Sequence, residues 1–222
     1  MHAEVAERPE PPRNCALCPR LHDFIALWRE REPTWFNAPV PTFIATEGDE
    51  TVRLLIVGLA PGLRGANRTG RPFTGDYAGD LLYATLNRFG FSRGTFQARP
   101  DDGVELIATA LTNAVRCVPP ENKPVGAEIN TCRTFLEPTI ARFPKLEAIV
   151  TLGTIAHQST VRALGQRVAA LPFGHGAQHQ AGPVRLFSSY HCSRYNTNTG
   201  RLTEEMFVRV FRDVRAYLDE RS

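Results

Sequence analysis

Cys15 and Cys18 form a C-x2-C pair, and Cys117 and Cys132 add two more thiols in AVRCVPP and NTCRTF. A two-residue gap lets both thiolates of the pair turn toward one centre. Four soft donors with no His replacement suit a structural zinc ion or an iron–sulfur cluster. Buried, inert thiols are the plain alternative for each cysteine taken singly. Cys192 follows His191 directly and has no partner in sequence. A second chemistry lies in residues 58–75, where Gly58, Gly62, Gly65, Gly70 and Gly75 alternate with Arg64, Arg68 and Arg71. Glycine lets backbone amides approach a ligand, and arginine brings charge suited to phosphate, so the expected ligand is a polyanion. A loop that long inside a compact domain is usually functional.

These residues need a frame, and the apolar pattern supplies one. Leu54 to Val57 read as a strand buried on both faces, emptying into the Gly/Arg loop. Leu106 to Val115 read as a second strand, delivering Asn113, Cys117 and the segment PPENKP at its end. Ala148 to Leu152 and Val184 to Tyr190 complete the set, and the last of these delivers His191. Helical periodicity lies between them: Leu21 to Trp28, Leu81 to Phe89, Ile129 to Phe143, Thr154 to Leu164, and Met206 to Leu218 with Thr203 as N-cap. Strands alternating with helices predict an α/β fold whose parallel sheet binds its ligand beyond the carboxyl ends of the strands. The segments 58–75, 113–124 and 191–201 should therefore meet at one edge of that sheet.

With 222 residues, 42% of them hydrophobic, the chain is sized for one domain over 15–222, after a polar, Pro-rich segment 1–14 expected to be disordered. A formal charge of +3 permits nucleic-acid binding without requiring it, so any basic surface must be local. No stretch approaches the roughly 18–20 apolar residues of a membrane span, and no export signal is evident, which predicts a soluble cytoplasmic protein with reduced cysteines. Neither a Walker A motif nor a complete G-x-G-x-x-G appears, so a nucleotide-binding enzyme ranks last.

Taken in order, GLAPG (58–62), NRTGRPFTGD (67–76), AVRC (114–117), PENKP (120–124) and HCSRYNTNTGRLT (191–203) resemble the uracil-DNA glycosylase superfamily. They are most similar to its fifth family, the bacterial and archaeal enzymes of relaxed base specificity. The resemblance implies a three-layer α/β/α sandwich with a central four-stranded parallel sheet, and a 4Fe-4S cluster on Cys15, Cys18, Cys117 and Cys132. It also implies a prokaryotic, nucleoid-associated monomer that flips uracil, or hypoxanthine, out of double-stranded or single-stranded DNA. The N-glycosidic bond would be hydrolysed to leave an abasic site. By the same resemblance Phe73 is the stacking platform for the base, beside Gly58, Leu59 and Ala60. His191 would stabilise charge on the departing base, and Asn122 lies near the site.

Leu59 and Ala60 cannot assist water where related families carry an acidic or polar residue, which leaves Asp76 to position water or stabilise the cationic sugar. Asn113 stands where the fifth family often has a small apolar residue and matches the uracil-specific fourth family, so it is expected to favour uracil over purines. Arg64, Arg68, Arg71, Arg194, Tyr195, Asn196 and Arg201 are the expected DNA contacts. Each has a bland counterpart: Asp76 as a helix cap, Phe73 as core, Asn122 as a turn residue, 193–203 as a polar loop. The competing function is a non-enzymatic metal-cluster module that binds nucleic acid.

Overall fold

The apolar runs fold into strands where the pattern places them, and a computed structural model describes residues 10–221. In chain order the elements are α1 (Pro19–Arg31), β1 (Phe43–Ile44), β2 (Leu54–Gly58), α2 (Ala66–Thr69), α3 (Tyr77–Arg88), β3 (Ser92–Arg93), β4 (Glu105–Leu106) and β5 (Thr109–Asn113). They continue with α4 (Gly126–Ala141), β6 (Ala148–Leu152), α5 (Thr154–Ala163), β7 (Gln178–Ala181), β8 (Val184–Ser189), α6 (Arg194–Asn198) and α7 (Glu204–Asp219). Every residue of β2, β5 and β6 is buried, as strands covered on both faces must be. Helices α3 and α7 pack together, as do α4 and α5, and the two pairs flank the sheet in a three-layer α/β/α arrangement.

The sheet runs β1-β5-β2-β6-β8-β7. Its four inner strands are parallel, as expected, but two antiparallel edge strands make six in all. Neither edge is legible as an apolar run: β1 is two residues long, and β7 reads Gln178, His179, Gln180 before its one buried residue, Ala181. Short, polar edges also discourage pairing with another chain. The expected strand 106–115 is divided. Ala108 takes a left-handed φ of 47°, which breaks the extended backbone, so Leu106 pairs with Ser92 in a separate ribbon and β5 starts at Thr109.

Residues 10–14, expected to be disordered with those before them, are held against the body; residues 1–9 lie outside the described residues. Glu10 Oε2 accepts from Arg116 Nη1 at 2.8 Å, and Arg29 Nη2 donates to the Arg13 carbonyl at 2.8 Å. Arg116 is itself buried, and Thr42 and Thr139 take up more of its guanidinium, at 2.9 and 2.8 Å. A buried cation with this many fixed partners costs far less than an unpaired one, so the N-terminal segment is tied in place. No helix among the described residues is long and apolar enough to cross a membrane.

Candidate active site

A cleft of about 810 Å³ opens at the carboxyl ends of β2, β5, β6 and β8. It brings together Phe73, Asp76, Asn113, Asn122 and His191, together with Leu59, Ala60, Arg64 and Arg194. The floor depends on a glycine. A Cβ added to Gly58 would lie 2.5 Å from both Asn113 Oδ1 and Phe73 Cζ, so only a bare backbone lets amide and ring meet there. Asn113 is buried, and its side chain forms no hydrogen bond among the described residues, which leaves both donor and acceptor free toward the cleft. Phe73 is held at a left-handed φ of 54°, uncommon for a bulky residue, with its ring 6.4 Å from that of His191. Leu59 spends its carbonyl on the Val115 amide at 2.9 Å, whereas the amides of Ala60, Gly62 and Leu63 donate to nothing among the described residues.

Asp76 stands at the N-cap position of α3, yet its side chain closes no capping hydrogen bond. Its Oδ1 is buried without a partner, an arrangement that a helix cap alone does not account for. Burial raises its pKa above the usual carboxylate range, and the nearby amides of Gly79 and Ala78 pull the other way. Gly62 and Gly65 both crowd the carboxylate: a Cβ on Gly62 would lie 2.9 Å from Oδ2, and one on Gly65 would lie 2.9 Å from Cγ. The ring of His191 forms no hydrogen bond among the described residues, and burial lowers its pKa to about 4, so the imidazole is neutral near pH 7. Asn122 sits at the rim with φ 58° in a turn of 3₁₀-helix. His175, whose role the sequence leaves open, accepts from the Tyr190 amide at 3.2 Å and so braces the exit of β8 that aims His191.

The basic residues divide. Arg64 and Arg194 are exposed on the cleft, and Arg68 is exposed on α2. The guanidinium of Arg194 lies 5.2 Å above the Tyr77 ring, and that of Arg201 lies 4.7 Å above Tyr190. Tyr195 is 72% exposed. Two of the expected DNA contacts have partners within the protein. Arg71 is buried and grips Asp102 with both terminal nitrogens at 2.8 Å, so no phosphate reaches it. Asn196 donates its side-chain amide to the His191 carbonyl at 2.8 Å, which ties it into the loop. Residues 193–203 are not a plain loop either: Ser193 caps the short helix α6 by accepting from the Asn196 amide. The sequence reading also missed Tyr77 and the start of α5, where Thr154 and Ile155 line the cleft. The available signal was Gly153, directly after a buried strand, whose φ of 96° turns the chain into the site.

Cys15, Cys18, Cys117 and Cys132 are all free thiols and line one small apolar hollow with Leu21, Val115 and Phe135. Burial, then the neighbouring thiols, push the Cys117 thiol well above its ordinary range, and burial chiefly lifts Cys132 to about 11. Cys117 and Cys132 are buried, whereas Cys15 and Cys18 are half-buried at the mouth of the hollow. Among the described residues, no group of three or more His, Cys, Asp or Glu is arranged to hold a metal ion. Ala60 and Leu63 pack against the cysteine-side core and also line the cleft, so one loop borders both sites. Cys192 is buried on the other side, its thiol directed at the Ala78 carbonyl.

The chain matches the family model described as the uracil DNA glycosylase superfamily over residues 45–215. It is 43% identical over 212 residues to a type-5 uracil-DNA glycosylase of Thermus thermophilus, covering 90% of this chain and 92% of that protein. A type-5 uracil-DNA glycosylase of Pyrobaculum aerophilum is 39% identical over 203 residues, 90% of this chain and 87% of its own. A type-4 uracil-DNA glycosylase of the same organism is 33% identical over 184 residues, covering 81% and 78%.

Proposed function

Because this chain belongs to the uracil DNA glycosylase superfamily, we propose that its cleft excises uracil from DNA by hydrolysing the N-glycosidic bond and leaving an abasic site. The observation that carries this reading is the convergence of Asp76, with an unpartnered buried oxygen, the free amide of Asn113, the neutral His191 and the Phe73 ring in one cleft. A base must leave the stack to be reached, and Phe73 offers it an aromatic face. Asn113 has a free donor and acceptor to set against the hydrogen-bonding edge of uracil. A neutral His191 can donate to the base as negative charge gathers on it, without the large proton-transfer bias of an imidazolium. Asp76, whose pKa burial raises above the usual carboxylate range, positions water or offsets the positive charge that builds on the sugar. Leu59 and Ala60 contribute shape and one free amide rather than a second acid.

Arg64, Arg68, Arg194 and Arg201 supply the local cations that hold the DNA backbone, with Tyr195 exposed beside the site to contact the strand. Cys15, Cys18, Cys117 and Cys132 hold a 4Fe-4S cluster, a body larger than one ion and suited to four soft thiolates around an apolar hollow. The cluster ties α1 and the N-terminal segment to the exit of β5, so Cys15→Ser should bleach the protein and lower its stability before it alters the chemistry. A colourless, stable and fully active variant would contradict that role. The deciding experiment is single-turnover excision on duplexes and single strands carrying uracil or hypoxanthine, with alkali revealing abasic sites. Uracil excision is expected, with hypoxanthine slower because of Asn113. Intact DNA after prolonged incubation would instead favour a binding module without catalysis.

A further inference from the structure

Arg71, the loop arginine turned away from the cleft, is the centre of a closed buried network. Its two terminal nitrogens donate to both oxygens of Asp102, and its Nε donates to Thr74 Oγ1 at 2.8 Å. The guanidinium lies 5.4, 5.3 and 5.7 Å from the ring centres of Phe43, Tyr83 and Phe96. Tyr83 donates its hydroxyl to the Pro72 carbonyl at 2.9 Å, and Thr69 Oγ1 donates to the Thr74 carbonyl at 3.0 Å. Asp102 in turn accepts from the Gln97 and Val104 amides at 2.9 and 3.1 Å, which fixes the carboxylate itself.

The residues so fixed, 72 and 74, flank Phe73. A phenylalanine at a φ of 54° does not stay there by preference; its surroundings must over-determine it. Here they do so from three elements: β1 through Phe43, α3 through Tyr83, and the 94–104 loop through Phe96 and Asp102. Arg71, Tyr83 and Asp102 are absent from the cleft lining, so the network stands behind the cleft rather than in it.

We propose that Asp102, acting through Arg71 and with Tyr83, is a positioning residue for the base site: it locks residues 72–74 in the one backbone conformation that presents the Phe73 ring to an extruded base. This rests on Phe73 being the base platform.

The test compares wild type, Asp102→Asn, Tyr83→Phe and Phe73→Ala. Binding is measured to a duplex carrying non-cleavable 2′-fluorinated deoxyuridine and to the same duplex with an abasic site, which needs no platform. Asp102→Asn should weaken the first by roughly ten- to hundred-fold, as a displaced ring requires, and leave the second unchanged. Adding Phe73→Ala to Asp102→Asn should cost little more. If Asp102→Asn does not fold, Tyr83→Phe removes the hydroxyl that bonds the Pro72 carbonyl and meets Thr74 Oγ1 at 3.5 Å, and should shift the same ratio by a smaller factor. An unchanged ratio, or equal loss on both duplexes, overturns the proposal and makes the network merely structural. A wild-type protein that does not prefer the uracil duplex overturns the underlying base-site reading instead.

Discussion

Gly65→Ala is the sharpest probe of the site, because it perturbs a carboxylate from across the cleft without touching the carboxylate's own chain. The added methyl would overlap Asp76 Oδ2 and lie 2.9 Å from Cγ and 3.0 Å from Cβ, so the whole side chain must withdraw rather than rotate at its tip. Gly65 has φ −96° and ψ −114°, a pairing outside the regions open to alanine, so the comparison in the Asp76→Ala background is what separates backbone strain from the effect on the carboxylate. Reaching ordinary van der Waals contact requires Asp76 to retreat by roughly 1 Å, a misplacement that can cost on the order of a hundred-fold in rate. That corresponds to about 2.7 kcal/mol of lost transition-state stabilisation. Gly62→Ala meets Oδ2 at 2.9 Å but Cγ only at 3.9 Å, so its effect should be several-fold. The assay is single-turnover excision of uracil, with each alanine made in wild type and in Asp76→Ala. Gly65→Ala should slow the wild type strongly and have little further effect once Asp76 is gone. Wild-type speed in Gly65→Ala, or an equal loss in the Asp76→Ala background, would refute the assignment of Asp76 to the reacting centre.

Asn113→Ala should erase the preference for uracil over hypoxanthine, chiefly by slowing uracil excision, which the ratio of single-turnover rates on the two substrates reads directly. Stability should fall with acid. A histidine that titrates near 6.5 when unfolded and at about 4 when folded keeps its full contribution above pH 6.5 and loses it as pH drops through 4. Urea unfolding between pH 8 and 4 checks this, His191→Gln should flatten part of the slope, and His157 and His175 shift in the same direction, burial being the main cause. Arg64→Ala should weaken binding to any duplex and reduce the slope of log affinity against log salt by about one. Arg71→Ala should leave that slope alone and lower the melting temperature, because it strands Asp102, whose side chain is fully buried.

The four inner strands were legible because each is a continuous apolar run, and burial on both faces demands nothing subtler. The edges were not, since β7 is polar and is defined by its pairing with β8 rather than by its own residues. The cleft residues came through the sequence well where chemistry and strand ends coincide, as at Asn113 and His191. Arg71 did not, because an arginine in a glycine-rich loop reads as a phosphate ligand unless its partner is known. That partner lies 31 residues away, in a surface loop whose only local signal is acidity. The internal bond of Asn196 was equally illegible: its acceptor is a backbone carbonyl, which leaves no trace in residue type. Tyr77, Thr154 and Ile155 reach the cleft through the way helices start beyond the sheet, a property of packing rather than of any motif.

The loop that runs from Gly58 to Leu63 lines the cleft on one side and packs on the other, through Ala60 and Leu63, against the core that holds Cys117 and Cys132, and this limits how the molecule can change. A residue inserted there would have to suit the cleft and the cysteine-side core at once, so the loop has little freedom to drift in length. Redesign of base preference is therefore more tractable from the β5 side, at Asn113, where an exchange alters one cavity and leaves the other undisturbed.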